Sequence, residues 1–342
     1  MCIMKTLNSI WQFDEIVTKE MAERGERSYS KELFRLLEVY RSLLKDYSLD
    51  GINSLYEEPW LSNHVKKQIP KLKNLFKYYS KGDLVEFNKT AYRLFNTRAR
   101  GENSQYYFPK TKVCVGSHWY RARKLVDKKK FVREDLFHVP FGLRGIIGSD
   151  RFSIVGYPCL YLGKTLKCVD AETPPTGIKA VSCFKNRQDI EVYDLTFFPH
   201  DGNQCICKHL LSYPFKIAAS IPKMREEKDV QNKFFPEYII PQLLLHWTIR
   251  NRRGTAPEGI IYSSTQAIAD RINENSYSEY TNIVVPASIF KEKGLCSHLN
   301  SLFSMTEPEI VPFPDLRNSS LEKLQYSMQQ KEFNQIDVDY EP

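Results

Sequence analysis

Residues 178–198 read IKAVSCFKNRQDIEVYDLTFF, a pattern typical of two consecutive β-strands. Residues 178–184 and 190–198 are rich in β-branched and aromatic side chains, and a polar run that contains Asn186 separates them. No helical pattern lies between the two runs. Consecutive strands without an intervening helix favour an α+β arrangement over a doubly wound parallel sheet.

Similar runs occur on both sides of this stretch. They are residues 152–155, 159–162, 215–218, 259–262 and 282–285. One strong helical pattern, at about 236–252, interrupts them. The sequence therefore predicts that residues 106–313 form one domain built around a sheet.

The first hundred residues have helical periodicity instead. From residue 31 to 47, leucines and Tyr40 recur on one face, which predicts an amphipathic helix. A second helix is predicted after Asp83, whose carboxylate is placed to cap it. We expect a helical domain at 1–105, a polar connector at 98–104, and a polar tail at 314–342 made of a short helix and a loose end.

Composition excludes several classes of protein. The chain has 342 residues, of which 42% are hydrophobic and 26% charged, close to the averages for soluble globular proteins. Its longest apolar stretches, such as residues 238–247, fall well short of the roughly 20 residues that a membrane-spanning helix needs. The N-terminus lacks the apolar core of a signal peptide. We expect a cytoplasmic protein without a transmembrane helix.

Positive charge is concentrated in one segment. The net charge is +8, and residues 61–100 hold ten Lys or Arg against only Asp83 and Glu86. Such a segment is typical of solvated helix faces, and it also fits a surface that contacts nucleic acid or an acidic protein. Both interpretations stay open at this point.

No cofactor-binding or metal-binding motif is recognisable. Eight cysteines are scattered, and the cluster at 205–209, Cys-Ile-Cys-Lys-His, offers three ligands where structural zinc takes four. Residues 142–148 have glycine spacing related to a dinucleotide fingerprint but lack its strand-before, helix-after context. We expect no metal and no Rossmann domain.

Three polar residues stand in otherwise apolar surroundings: Arg121, Glu172 and Ser264. Each alone is typical of a structural ion pair or a helix cap. Taken with the blocks around them, they resemble the RES domain, which is named for an Arg, a Glu and a Ser in such settings. The matching blocks are residues 120–123, 137–140, 151–152, 156–162, 171–172, 191–196, 238–242, 259–264 and 282–284. This resemblance covers most of residues 115–290.

The chain departs from the family pattern at two positions. Ser153 stands where the family has Asn after the Arg-Phe pair, and Ser263 stands where it has Pro before the functional Ser. The second departure makes Ser263 an alternative to Ser264.

The resemblance implies a fold similar to ADP-ribosyltransferases and an enzyme that consumes NAD. Such enzymes break the bond between nicotinamide and ribose by hydrolysis or phosphorolysis, and family members are commonly toxins held in check by a helix-turn-helix antitoxin. NAD would be a substrate, and no metal is expected. Two other functions stay open: transfer of ADP-ribose to a protein or nucleic acid, and a nucleic-acid-binding scaffold that uses residues 61–100 while its RES-like domain is inactive.

The chemistry of NAD cleavage suits these residues. The guanidinium groups of Arg121 and Arg151 are expected to hold the pyrophosphate in bidentate fashion. Glu172 is the expected catalytic carboxylate, because cleavage develops positive charge on the ribose. Tyr161, with Tyr120 as a further candidate, is expected to contact nicotinamide or ribose. Ser264 is expected to orient Glu172 or the nicotinamide amide.

Overall fold

A computed structural model describes most of the chain. The described residues are 5–7, 10–49, 58–96, 108–125, 131–173, 177–198, 206–223, 235–251, 257–269, 274–312 and 318–342. The predicted connector at 98–104 and the predicted domain boundary at 105 lie outside them.

The N-terminal region is helical, as predicted, apart from two short strands. Its elements are β1 (Lys5–Leu7), α1 (Ile10–Ala22), α2 (Tyr29–Asp46), β2 (Tyr47–Leu49), α3 (Glu58–Ser80) and α4 (Leu84–Phe95). The leucine stripe of α2 is fully buried at Leu33, Leu36 and Leu37. Asp83 caps α4 by accepting a hydrogen bond from the Glu86 backbone N–H at 3.1 Å. Both predicted helices are therefore confirmed.

The rest of the chain forms a mixed nine-stranded sheet with helices around it. Its strands are β3 (Lys110–Val113), β4 (His118–Lys124), β5 (Cys159–Gly163), β6 (Ile178–Asn186), β7 (Ile190–Leu195), β8 (Gly259–Ser263), β9 (Thr281–Pro286), β10 (Phe303–Met305) and β11 (Glu309–Pro312). Its helices are α5 (Arg133–Leu136), α6 (Leu166–Glu172), α7 (Ile206–Ser220), α8 (Ile239–Asn251), α9 (Thr265–Ala269), α10 (Ser297–Leu302) and α11 (Asn318–Gln329). Short 3-10 segments occupy Phe141–Ile146, Pro236–Tyr238 and Glu274–Tyr280.

The strand order is β10-β6-β4-β5-β9-β8-β7-β3, with β11 also paired to β6. Neighbouring strands are antiparallel except for β7 and β8, which run parallel. The strands predicted from residues 178–198 pair with other strands on both sides. The chain is an α+β protein, as predicted.

The N-terminal helices and the sheet share one hydrophobic core. Phe13 of α1, Tyr40 of α2 and Tyr213 of α7 belong to the same buried cluster as Ile260 of β8. The Tyr40 and Tyr213 rings stack with their centroids 5.1 Å apart. Tyr40 and Tyr213 are both completely buried, so the helical region packs tightly against the helices that cover the sheet.

Two predicted strands are wrong. Residues 215–218 lie inside α7, whose residues 209–220 are all buried. A helix that is buried on every side carries no amphipathic period, and its apolar run therefore resembles a strand. Residues 152–155 form turns instead, because the Ser153 backbone N–H donates to Asp150 O and its hydroxyl donates to Gly148 O.

The loose end predicted for the C-terminus is also wrong, although α11 confirms the short helix. The Asn334 and Met305 backbones exchange hydrogen bonds in both directions, and the Leu295 N–H donates to Val338 O at 2.7 Å. The Tyr340 hydroxyl donates to Asp135 Oδ1 at 3.0 Å. The last residues therefore pack against the sheet domain.

None of the helices within the described ranges is both long and apolar enough to cross a bilayer.

Candidate functional site

A large cavity lies where two neighbouring strands diverge. Every residue of β4 pairs with β6, whereas β4 pairs with β5 only at Tyr120 and Gly163. Strand β5 in turn pairs with β9 along its whole length. The two parts of the sheet are thus joined at one residue pair and separate beyond it, and a cavity of about 1030 Å³ occupies this region.

The cavity brings together five of the six predicted site residues. Both strands contribute, β4 with Tyr120, Arg121 and Ala122 and β5 with Tyr161, Leu162 and Gly163. The other lining residues are Asp150, Arg151, Phe152, Val169, Ala171, Glu172, Thr173, Pro222, Lys223, Tyr238, Tyr262, Thr265, Gln266, Ala269 and Asn282. Ser264 is not among the lining residues.

Arg121 brings an unpaired positive charge to the cavity. Its Nη1 atom is buried without a hydrogen-bond partner, and no carboxylate of the described residues forms an ion pair with its guanidinium. Burial is the main cause that lowers the pKa of Arg121, and the charge of Arg123 lowers it further. A buried guanidinium is costly unless it is paired, so this position fits an anionic ligand.

Arg151 is anchored by backbone carbonyls. Its Nη1 donates to Ala219 O at 2.7 Å and its Nη2 to Ile221 O at 3.0 Å, so it caps the C-terminal end of α7. The guanidinium also lies 5.5 Å from the centre of the Tyr238 ring. Two of its five N–H groups are used in this way, which leaves three for a ligand. Arg151 is therefore a rigid donor, whereas Arg121 is wholly available.

Glu172, the last residue of α6, faces the cavity with an exposed side chain. Its Oε1 accepts a hydrogen bond from Asn282 Nδ2 at 3.1 Å. The negative charge of Glu172 opposes the lowering of the Arg151 pKa that burial causes, so the two groups are electrostatically coupled. Asn282 was not predicted as a site residue, although it lies in the 282–284 block.

The packing of α6 against β5 explains where Glu172 lies. The Thr165 hydroxyl caps the helix by accepting from the Cys168 N–H at 3.1 Å. A Cβ atom at Gly163 would lie 2.8 Å from Val169 Cγ2 and 3.4 Å from Cys168 Sγ. Only glycine at this position lets α6 approach β5 so closely, and the helix then ends beside the cavity.

Aromatic rings form another part of the wall. The Tyr161 hydroxyl donates to Phe152 O at 2.9 Å, so its polar end is satisfied and its ring lines the cavity. The Phe152 and Tyr262 rings lie 4.3 Å apart, centre to centre. Burial raises the pKa of Tyr262 well above its usual value, and the charge of Glu172 adds to this effect. Tyr262 was not predicted as a site residue.

Three predicted polar groups serve the fold at these positions. The Tyr120 hydroxyl accepts from Gln329 Nε2 of α11 at 2.7 Å. Ser264 is fully buried and caps α9, since its hydroxyl accepts from the backbone N–H groups of residues 266 and 267 at 3.2 and 3.3 Å. The alternative, Ser263, accepts from the Phe197 N–H at 2.9 Å. Asn282, and not Ser264, makes the contact to Glu172.

Only part of the 205–209 cluster can be placed. Cys205 lies outside the described residues, and His209 Nδ1 lies 3.0 Å from Lys216 Nζ. Burial, together with the Lys216 charge, lowers the pKa of His209 to about 2. Elsewhere in the described ranges, no three His, Cys, Asp or Glu side chains come together as metal ligands.

Among curated proteins, the chain is similar to "Putative toxin YopC" of Bacillus subtilis (strain 168), with 33% identity over 213 residues. The similarity covers 57% of this chain and 47% of YopC, so the chain spans about half the length of this relative. No family model matches the chain, and no solved structure is similar to it. The resemblance to RES domains and to the ADP-ribosyltransferase fold stays a prediction.

Proposed function

We propose that this protein is a toxin that consumes NAD by cleaving the bond between nicotinamide and ribose. One observation carries the proposal: an unpaired buried guanidinium, Arg121, and an oriented carboxylate, Glu172, line the same cavity. NAD presents an anionic pyrophosphate and a ribose that becomes cationic when nicotinamide leaves. The two protein charges match these two parts of the substrate.

The size and lining of the cavity support a dinucleotide as the ligand. Small-molecule sites commonly measure about 300–1,000 Å³, and this cavity, at about 1030 Å³, is just above that range, as a ligand as large as a dinucleotide requires. Arg121, Arg151 and Lys223 supply positive charge for the phosphates. The rings of Tyr161 and Tyr262 offer flat apolar surfaces for a planar base.

The proposed reaction needs only positioning and electrostatics from the protein. The C1′–N bond breaks, and its electron pair goes to the pyridinium nitrogen, so nicotinamide leaves as a neutral molecule. Glu172 stabilises the positive charge that develops at C1′. Water or phosphate then forms the new bond at C1′ and releases its proton to solvent.

The role as a toxin comes from the relative and from the resemblance. The name of YopC describes a toxin, and RES proteins are commonly toxins with an antitoxin partner. An NAD-consuming enzyme in a cell that depends on NAD would need such a partner. We therefore include a helix-turn-helix antitoxin in the proposal.

Nicotinamide release from NAD by the purified protein tests the proposed activity. We expect Glu172→Gln, which removes a charge at nearly constant shape, to lower the rate about 10²-fold or more. Glu292→Gln, a change at an exposed position that does not line the cavity, is the matched control and should keep the wild-type rate. An unchanged rate for Glu172→Gln would remove Glu172 from the catalytic role.

The same assay distinguishes the acceptors. Free ADP-ribose indicates hydrolysis, and dependence on phosphate indicates phosphorolysis. Label from adenine-labelled NAD that stays on protein or nucleic acid would indicate a transferase instead. Salt-sensitive binding of nucleic acid without any loss of NAD would favour the scaffold function.

A further inference from the structure

Asn282 lines the cavity at the level where β4, β5, β9 and β8 are paired side by side. It pairs with Gly163 of β5 on one side and with Tyr262 of β8 on the other. Gly163 in turn forms the single pair with Tyr120 of β4. Asn282 is only 8% exposed, and it lines the cavity. Its backbone is therefore fixed at the point from which β4 and β5 diverge.

The side chain of Asn282 is fixed at both ends by one helix. Cys168 and Glu172 are four residues apart in α6, so they lie on the same face of that helix. The Cys168 thiol donates to Asn282 Oδ1 at 3.3 Å, and Asn282 Nδ2 donates to Glu172 Oε1 at 3.1 Å. The three side chains form a continuous line of hydrogen bonds from thiol to carboxylate.

The thiol decides which way the amide points. Cys168 is completely buried, and burial raises the pKa of its thiol well above the usual value. The thiol therefore stays protonated, and of the two acceptors within its reach the amide oxygen, at 3.3 Å, is nearer than Thr281 O, at 3.6 Å. The amide nitrogen must then face Glu172, where an N–H donor is what a carboxylate requires.

We propose that Asn282 is the positioning residue for Glu172: its amide, oriented by Cys168, holds Oε1 and leaves Oε2 for the substrate. No described residue donates a hydrogen bond to Oε2. The geometry of this proposal comes from the contacts of the Cys168 thiol and the Glu172 carboxylate with the Asn282 amide. Its effect on catalysis rests on the proposed NAD cleavage. Ser264 was expected to orient either Glu172 or the nicotinamide amide; in the structure its hydroxyl accepts two backbone N–H groups of α9.

Kinetics test the positioning role. In Asn282→Ala, we expect kcat for nicotinamide release to fall about 10- to 100-fold, with KM changed less than about two-fold, because the carboxylate remains but loses its orientation. Asn300→Ala is the matched control. Asn300 binds the backbone of residue 336, and neither residue lines the cavity, so its loss should lower the melting temperature and leave kcat unchanged. Wild-type kcat in Asn282→Ala would overturn the proposal.

The pH profile separates positioning from a purely structural role. Asn282→Asp places a second carboxyl group about 3 Å from Glu172, and two such groups do not both ionise freely. The acid limb of kcat should move to higher pH by more than about one unit. Arg151, Cys168, Tyr238 and Tyr262 are the other ionisable groups coupled to Glu172, and all four are unchanged in this variant. An acid limb identical to wild type would contradict the contact.

Two substitutions of Cys168 test the orientation of the amide. Cys168→Ser keeps a donor for Asn282 Oδ1, so kcat should stay near wild type. Cys168→Val keeps the volume but removes the donor, and kcat should fall. Equal activities of the two variants would refute the role of the thiol.

An NMR measurement tests the contacts without any activity. With ¹⁵N-asparagine labelling, the Asn282 side-chain amide is identified by its loss in Asn282→Ala. Its signal should move in both Glu172→Gln and Cys168→Val. If the signal moves but the wild-type protein releases no nicotinamide, the proposed function fails and the contacts stand. If the signal stays in place in both variants, the positioning proposal fails whatever the enzyme does.

Discussion

Arg121→Met tests whether the buried guanidinium of β4 is retained for a ligand and not for the fold. Methionine replaces the unbranched stem of arginine as far as Nε and removes the charged guanidinium group. Burial and the Arg123 charge lower the pKa of Arg121 from its ordinary value to about 9. Folding therefore disfavours the charged form of Arg121. The free-energy cost is present in full at pH 7, because the pKa of Arg121 lies above 7 in both the folded and the unfolded chain.

The magnitude follows from the same values. One pKa unit corresponds to 1.36 kcal/mol, so the lowering sets an upper bound of about 5 kcal/mol. The Arg121 side chain is partly exposed along the cavity, where water screens its charge. Because of this screening we expect about 1–3 kcal/mol here, within the range of about 1–4 kcal/mol by which apolar replacement of a buried ion pair can stabilise a protein. For a chain of 342 residues that is roughly 1–4 °C in melting temperature.

The assay combines calorimetry with nicotinamide release. Arg121→Met should melt at a higher temperature than wild type and should lose about 10²-fold or more in kcat/KM. Arg123→Met is the matched control, because Arg123 lies two residues further along β4, donates to Phe137 O at 3.3 Å and does not line the cavity. It should keep its activity, so a loss of activity confined to Arg121→Met is specific to the cavity. Burial also lowers the pKa of Arg123, so this variant is a control for activity and not for stability. A melting temperature of Arg121→Met more than about 2 °C below wild type would refute the reasoning, since it would mean that the fold uses the Arg121 charge.

Three further predictions concern the surroundings of the cavity. Gly163→Ala brings a methyl group to 2.8 Å from Val169 Cγ2, so it should cost about 1–3 kcal/mol in unfolding free energy and slow nicotinamide release; wild-type values for both would contradict the close packing of α6. Arg24 and Glu237 form an ion pair with their charged atoms 2.8 Å apart, and both side chains are at most 6% exposed. Arg24→Met leaves the buried carboxylate unpaired and should lower the free energy of unfolding by about 3–5 kcal/mol. Adding Glu237→Gln should recover part of this loss, and no recovery would argue against the ion pair. Ser264→Ala should cost about 1 kcal/mol through loss of the α9 cap and should keep the rate of nicotinamide release, whereas a rate about 10²-fold lower would support the catalytic role implied by the RES resemblance.

Local patterns were sufficient for much of the fold. In the helix of residues 29–46, apolar residues recur every three to four positions and so form one apolar face. In residues 178–198, two runs of β-favouring residues are separated by a polar turn. Each of these patterns is typical of only one kind of element. The strand predicted at residues 215–218 was wrong because α7 is buried on all sides and has no polar face that would reveal a helical period. The loose end predicted for the C-terminus was wrong because a polar composition does not show that the backbone there forms hydrogen bonds to residues 295 and 305. Those residues come close to the C-terminus only in the folded chain.

The residues of the candidate site likewise fall into those that the sequence predicted and those that it did not. Arg121 and Glu172 were predicted because charged residues in apolar surroundings are conspicuous and because their order resembles a known family, and the structure places both at the cavity. Asn282 was not identified, since nothing in a β-strand sequence indicates that its amide meets a helix more than a hundred residues earlier. Ser264 shows the ambiguity of such signals: a serine after a strand fits both a catalytic residue and a helix cap, and in the structure its hydroxyl caps α9, while its catalytic role stays a prediction.

The central claim is that this cavity cleaves NAD, and the most direct test follows nicotinamide after wild-type protein is mixed with NAD. Parallel samples with and without phosphate, and with Glu172→Gln and Glu292→Gln, complete the measurement. The account predicts nicotinamide release by the wild-type protein and by Glu292→Gln, with a rate about 10²-fold lower for Glu172→Gln. Intact NAD in every sample, or equal release by all three proteins, would contradict it.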